Sequence, residues 1–158
     1  MPQSNSNAQL ASQDPDYECR VRESFARQRV METMGATLLR VAPGEVDILL
    51  PFREELTQQH GFLHAGIVTT IVDSACGYAA LSLMPPDTGV LTIEYKVNLL
   101  APASGARMIA RGRVTRAGRT ITVSSGEVYA VGADGQEKLV AMMVATIMTI
   151  RERPGVTD

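Results

Sequence analysis

The sequence predicts an α+β fold in which an antiparallel β-sheet wraps around one long buried helix. The helix is predicted over about residues 64–84, because this segment lacks proline before Pro85 and is apolar nearly all round. Two strand-like runs precede it and four follow it. A helix that is apolar on every side must be covered on most of them, and a curled antiparallel sheet provides that cover.

The chain begins with a polar stretch, and we expect residues 1–16 to form a disordered tail because they are rich in Gln, Ser, Asn and Asp. A helix is predicted over residues 17–34, where Val21, Phe25 and Met31 fall near one face. Gly35 is a suitable residue to end it.

Two short strands are predicted next, over residues 37–41 and 46–50. Ala42-Pro43-Gly44-Glu45 joins them, and Pro-Gly fits the centre of a type II turn. A loop over residues 51–62 then leads to the long helix, which Pro85-Pro86 ends.

The rest of the domain reads as four strands, which we expect to form a meander. The first, residues 91–99, alternates apolar and polar side chains. Turn sequences separate the later three, and Asp134-Gly135 is a strong hairpin signal. The later strands are predicted over residues 107–116, 120–131 and 138–150. The prediction is one domain over residues 17–150 with a C-terminal tail over 151–158.

Composition excludes several classes of function. A formal charge of −2 gives no reason to expect nucleic-acid binding, and no apolar run is suited to spanning a membrane. Cys19 and Cys76 form no CxxC motif, and no signal peptide is evident, so a reducing cytoplasm is the expected location. Two histidines exclude any metal site that needs three. We therefore expect chemistry based on carboxylates, amides, hydroxyls or backbone groups.

Asp73 is the residue that most needs an explanation. It lies in the apolar helix, where an ionised carboxylate without partners is costly to bury. Helical geometry places Gly66, Thr70, Asp73 and Gly77 on one face, which forms a shallow groove. The alternative to a functional acid is a structural one, bonded to a neighbouring hydroxyl. The neighbouring hydroxyls are those of Thr69, Thr70 and Ser74.

Asp73 also belongs to a spaced motif. An amide residue is followed six positions later by a His-Ala-Gly sequence, and the acid comes nine residues after the histidine. Downstream, Thr92 opens a strand and Pro102 follows ten residues later. The upstream motif residues are Gln58, His64-Ala65-Gly66 and Asp73.

With this element order, residues 35–150 resemble the hotdog fold and, more narrowly, the acyl-CoA thioesterases of the phenylacetate-pathway type. Ala65 stands where that family has the first glycine of His-Gly-Gly, and Gln58 stands where close relatives often have Asn. His60-Gly61 offers a second register, which is rejected because Thr69 and not an acid lies nine residues on.

The resemblance implies hydrolysis of an acyl-CoA thioester to the free acid and CoA, with no separate cofactor. Asp73 would act as general base on water or as nucleophile through a mixed anhydride. The N–H of Ala65, assisted by that of Gly66, would stabilise the oxyanion. Gln58 would position water or the carbonyl, and Thr92 would orient water or hydrogen-bond to Asp73.

Helical geometry adds two expectations. Ala65 and Asp73 are eight residues apart, roughly 12 Å along a helix, so one helix cannot bring both to a single carbonyl. Two antiparallel helices from two subunits could, which predicts a homodimer, or a dimer of dimers, with sites shared between subunits. His64 lies about half a turn round from Asp73, so we expect it to fix the loop before the helix.

Other residues invite functional interpretations. Cys76 follows Asp73 closely, but a buried inert thiol is the favoured interpretation. Arg107, Arg111 and Arg113 share one strand face and could bind CoA phosphates, although a solvated basic face is the simpler interpretation.

Two alternative functions remain open from the sequence. One is a non-catalytic acyl-CoA-binding module. The other, less favoured, is a hotdog enoyl-CoA hydratase or dehydratase, because neither His60 nor His64 has the expected surroundings. The identity of the acyl group does not follow from the sequence.

Overall fold

The structure, a computed structural model, describes residues 10–156 and residue 158. Its helices are α1 (Tyr17–Arg27), α2 (Arg29–Met34) and α3 (Ala65–Leu81), with a short 3-10 helix over Glu54–Leu56. Six antiparallel strands form one sheet in the order β1-β2-β4-β5-β6-β3. They are β1 (Thr37–Ala42), β2 (Glu45–Pro51), β3 (Gly89–Leu99), β4 (Arg107–Arg116), β5 (Ile121–Val131) and β6 (Glu137–Ile150).

The N-terminal helix differs from the prediction. The sequence predicts one helix over residues 17–34, whereas the structure has two, because Gln28 takes an extended backbone with φ −74° and ψ 98°. Gly35 ends α2 in the left-handed conformation at φ 74°, which glycine adopts without steric cost.

Part of the predicted disordered tail lies outside the described residues, which begin at Leu10. Residues 10–16 pack against the domain, unlike the predicted tail. The Gln13 side chain donates to the Leu83 carbonyl at 3.1 Å. Asp14 is buried and pairs with Arg20 at 3.3 Å. This ion pair satisfies a carboxylate that a disordered tail would have left in solvent. At the other end, the Asp158 side chain accepts from the backbone N–H of Val90 at 2.9 Å.

Strand order also differs from a four-strand meander. Of the four strands that follow α3, β4, β5 and β6 lie side by side in chain order, whereas β3 pairs with β6 and not with β4. The physical reason is that β2 already occupies the free edge of β4, with Glu45 opposite Arg113 and Pro51 opposite Arg107. The edge of β6 is therefore the place left for β3, which becomes an outer strand of the sheet.

Helix α3 lies against the concave face of this sheet and is the centre of the core. From Ser74 to Leu81 every residue of the helix is buried. Gly112 of β4 and Gly126 of β5 are cross-strand neighbours beneath it. A Cβ at Gly112 would lie 2.3 Å from the carbonyl of Ala75, so the missing side chain lets the helix backbone touch the sheet.

Both ends of α3 are capped. Nδ1 of His64 accepts from the Gly66 N–H at 2.9 Å, which satisfies one of the free donors of the first turn. At the other end, the Arg20 guanidinium donates to carbonyls of Leu81 and Met84, and also to that of Pro85 at 2.7 Å. A cation at a helix C-terminus is also favoured by the helix dipole. Among the described residues, no helix is long and apolar enough to cross a membrane.

The close helix–sheet contact predicts unequal effects of two substitutions. Gly112→Ala should lower the free energy of unfolding by about 2 kcal/mol or more, because its methyl meets helix backbone that cannot turn aside. Gly126→Ala is the matched control. Its methyl meets side-chain atoms of Val72 and Cys76, while the nearest backbone atom, the Val72 carbonyl oxygen, lies 3.6 Å away, so a smaller loss of about 1 kcal/mol is expected. Urea denaturation of both variants measures the difference, and equal losses would contradict this account of the packing.

Candidate active site

The carboxylate of Asp73 lies half-buried between α3 and β3. Its Oδ1 accepts a hydrogen bond from Oγ1 of Thr92 at 2.8 Å. This hydrogen bond links α3 to β3, the two elements that carry the acid and the threonine of the sequence motif. Two of the three hydroxyls that the sequence offered as structural partners are used elsewhere: Thr70 donates to the Gly66 carbonyl at 2.7 Å, and Ser74 donates to Gln28 at 3.3 Å.

A β-bulge in β3 makes the Asp73–Thr92 bond possible. Strict alternation would put Thr92 on the same face as Glu94 and Lys96. In the structure Thr92 pairs with Ile147, but Glu94 pairs with Thr146, so two steps on β3 match one step on β6. The extra residue turns Thr92 to the helix-facing side of the sheet.

Burial raises the pKa of the Asp73 carboxyl above its ordinary value, and the hydrogen bond from Thr92 partly offsets this rise. A carboxylate with a raised pKa is a stronger base than an exposed aspartate. The same burial makes the ionised form costly to the fold, so the native state loses stability as pH rises through the interval between the unfolded and folded pKa values.

Asp73 lies on the boundary between two cavities. One, of about 310 Å³, continues along α3 past Gly77. The other, of about 390 Å³, runs back toward the N-terminus of the helix past Gly66 and Thr70. The four residues that helical phase placed on one face thus line one continuous surface beside β3.

The first turn of α3 presents a second cluster. Because the N–H of Gly66 donates to His64, it is not free to assist Ala65 as the sequence analysis expects. Through this bond the His64 ring caps the first turn of α3. The N–H of Ala65 has no acceptor among the described residues.

Gln58 lies in the loop before α3 and lines a third cavity, of about 570 Å³, together with His64 and Ala65. Pro102, from the segment after β3, lines it as well. The Gln58 side-chain oxygen accepts from the backbone N–H of His60, which tightens the turn over residues 58–61. Its amide nitrogen has no acceptor within the described part of the chain.

Within one chain, the predicted site residues other than Gly66 therefore form two groups, and Gly66 lines a cavity that also reaches Asp73. Gln58, His64 and Ala65 share one cavity, and Asp73 and Thr92 share another. The cavity at Asp73 also contains residues that the sequence analysis did not single out, namely Gln28 and Tyr78. Of these residues, only Gln28 had a feature that could have identified it, namely a polar side chain at a helix break.

The remaining candidates have other roles. Cys76 is fully buried, and burial raises the pKa of its thiol to about 12, with the Asp73 charge adding to the effect. It is therefore protonated and a poor nucleophile. Arg111 pairs with Glu137 at 2.7 Å, and Arg113 pairs with Asp47 at 2.6 Å. Two of the arginines considered for phosphates thus already have carboxylate partners. In the described residues, no group of three His, Cys, Asp or Glu side chains could hold a metal ion.

Comparison with known proteins identifies relatives of this chain. A family model described as the thioesterase superfamily matches residues 60–134. Human acyl-coenzyme A thioesterase 13 is 30% identical over 90 residues, which cover 56% of this chain and 64% of that protein. The matched family region contains α3 and three of the six strands, β3, β4 and β5.

Two solved structures are similar to the whole domain. A thioesterase family protein from Silicibacter pomeroyi is 52% identical, with a TM-score of 0.84 over 85% of this chain and 98% of the other. The PaaI protein of the phenylacetic acid degradation operon of E. coli is 17% identical, with a TM-score of 0.76 over 92% of this chain and 99% of the other. These matches confirm the predicted hotdog fold.

The Asp73–Thr92 bond predicts a measurable pKa change. Removing the hydroxyl with Thr92→Val should raise the pKa of Asp73 further, because the lost hydrogen bond favoured the ionised form. Thr92→Ser, which keeps a hydroxyl, should leave it nearly unchanged. Carboxyl ¹³C NMR titration of the three proteins measures the values. An unchanged or lowered pKa in Thr92→Val would contradict the arrangement.

Proposed function

The chain belongs to the thioesterase superfamily, and we propose that it hydrolyses acyl-CoA thioesters to the free acid and CoA, with Asp73 as the catalytic carboxylate. The single observation that supports this most strongly is the position of Asp73. It is half-buried, oriented by Thr92, and open to two cavities that could take the two sides of a thioester.

In the proposed reaction the Asp73 carboxylate removes a proton from a water molecule as that water attacks the thioester carbonyl. Its raised pKa strengthens it as a base. The same carboxylate could attack the carbonyl directly, giving a mixed anhydride that water then hydrolyses. In both routes the bond from carbonyl carbon to sulfur breaks, and CoA leaves as the thiol.

The oxyanion in this proposal is stabilised by the N–H of Ala65, at the positive end of the α3 dipole. Ala65 keeps this donor although it carries a methyl group. Because Ala65 and Asp73 line different cavities of one chain, we propose that the donor is the N–H of Ala65 of the partner subunit. Gln58, beside Ala65, would position the carbonyl or the water from the same side.

The surface that would bring a second copy into place is β3. It is an edge strand of the sheet, and large apolar side chains along it are exposed. An exposed apolar edge strand invites pairing with another strand. The exposed residues include Leu91, Ile93, Tyr95 and Leu99, which are 41%, 51%, 48% and 53% exposed in the single chain. Pairing of β3 with β3 of a second copy would also bring two Asp73-lined grooves to the subunit boundary.

Asp73→Asn tests the catalytic role. The variant should lose about 10²- to 10⁴-fold in kcat for acyl-CoA hydrolysis, because the amide cannot accept a proton. Release of free thiol from a panel of acyl-CoA substrates measures it. The thermal midpoint at neutral pH should not fall, since Asn can still accept from Thr92 and carries no charge to desolvate. Turnover near the wild-type rate in a folded variant would eliminate the proposed role.

A mixing experiment tests the shared site. Ala65→Pro removes the N–H at the first helical position, where proline is tolerated, and His64 already has the extended backbone that precedes proline. Each of Ala65→Pro and Asp73→Asn should be inactive alone.

Co-refolding the two variants in equal amounts should restore about a quarter of wild-type activity, because half of the dimers are mixed and each has one intact site. Mixing wild type with Asp73→Asn provides the control for refolding yield. If the co-refolded pair stayed inactive while the control recovered, both groups would have to act within one subunit.

A further inference from the structure

The cavity that runs from Asp73 along α3 has a lining unlike that of a site for an alkyl chain. Its volume of about 310 Å³ is at the lower end of the range of about 300–1,000 Å³ that is typical of small-molecule sites. Six of its nine lining residues have polar side chains, namely Gln28, Asp73, Ser74, Tyr78, Thr92 and Asp158.

Gln28 occupies its place because of the break between α1 and α2. The extended backbone at this residue ends α1, and the side chain reaches α3, where its Oε1 accepts from Ser74 at 3.3 Å. Its amide nitrogen, with two N–H donors, has no acceptor among the residues that the structure describes. Gln28 lines the same cavity as the proposed catalytic carboxylate of Asp73.

Tyr78 is the second polar group of the same wall. Its ring packs against Phe25 with centroids 5.9 Å apart, and its hydroxyl lies 3.3 Å from Oγ of Ser24. Burial raises the pKa of the phenol, so it is neutral at physiological pH. The wall formed by Gln28, Ser74 and Tyr78 is therefore fixed by contacts on both α1 and α3.

The charges of the lining indicate which part of the substrate enters. Asp73 and Asp158 are both carboxylates, and the lining includes no lysine or arginine among the described residues. The phosphates of CoA would be repelled there. The acyl group, which carries no phosphate, is the part that fits.

An alkyl chain in this cavity would separate the Gln28 amide from water without offering it an acceptor. Leaving a buried donor unsatisfied is costly, whereas an oxygen on the acyl group would satisfy it. Discrimination between acyl groups in this cavity is therefore set by the polarity of the acyl group and not only by its length.

We propose that this cavity binds the acyl group and that Gln28 selects short acyl groups that carry a carbonyl or hydroxyl oxygen near their far end. The inference rests on the proposed function and adds a substrate class to it. Gln28 is in this proposal a specificity-determining residue.

The test compares two acyl-CoA esters of similar size, 4-oxopentanoyl-CoA and 4-methylpentanoyl-CoA, in which a carbonyl oxygen at carbon 4 replaces a methyl group and a hydrogen. The readout is the ratio of their kcat/KM values, measured by thiol release. The wild-type ratio should favour the oxo compound by about tenfold, the amount that one hydrogen bond to an otherwise unsatisfied donor provides. Gln28→Leu should lower that ratio by about three- to tenfold.

Two further variants make the result independent of folding. Gln28→Met keeps an unbranched side chain of similar length without the amide, and it should lower the ratio in the same way. Gln136→Leu, at an exposed turn far along the sequence, removes the same chemical group and should leave the ratio unchanged.

The outcomes separate this inference from the proposed function. If wild type hydrolyses both esters at a ratio near one, or if both Gln28 variants keep the wild-type ratio, the selection by Gln28 is wrong while thioester hydrolysis stands. If wild type hydrolyses neither these esters nor any other acyl-CoA, the proposed function fails and the inference fails with it.

Discussion

The contact between α3 and the glycine pair of the sheet is the constraint on which the rest of the molecule depends. Because Gly112 and Gly126 carry no side chains, the helix lies with Ala75 almost on the backbone of β4. That depth determines how far Asp73 is removed from water. The caps at the two ends, from His64 and Arg20, then fix the helix along its axis. A small shift of this helix would separate Asp73 from Thr92, which belongs to a different strand.

The same packing explains how an acid is held in an apolar helix. Asp73 gives up hydration and receives one hydrogen bond, so its pKa rises and its ionised form lowers stability. A protein that gained only stability at this position would replace the acid. A buried acid that lowers stability and lies in a groove between two cavities is typical of an active site. The raised pKa and the proposed base role are thus two consequences of one degree of burial.

The separation of the site residues into two groups provides a chemical reason for the proposed dimer. Among the described residues, the cavity at the first turn of α3 is lined by Ala65 but by no carboxylate, and the cavity that continues along α3 from Asp73 is not lined by Ala65. In the proposed dimer, each subunit supplies the group that the other half of the site lacks. The helix break at Gln28 completes the arrangement, because it closes the cavity beside Asp73 with a polar wall and leaves the edge of β3 open.

The sequence by itself determined the α+β class, the buried central helix and six strands close to their observed bounds. It also determined the helix face that Asp73 shares with Gly66, Thr70 and Gly77. These features follow from local periodicity and turn chemistry. Tertiary structure decided the rest. The pairing of β3 with β6, the bulge that turns Thr92 toward Asp73 and the break at Gln28 depend on which neighbours each segment meets. The bond from Gly66 to His64 also exists only because the loop brings that ring back over the helix end. Local patterns carry no information about such partners, since strand order and hydrogen bonds between distant residues are set by packing of the whole chain.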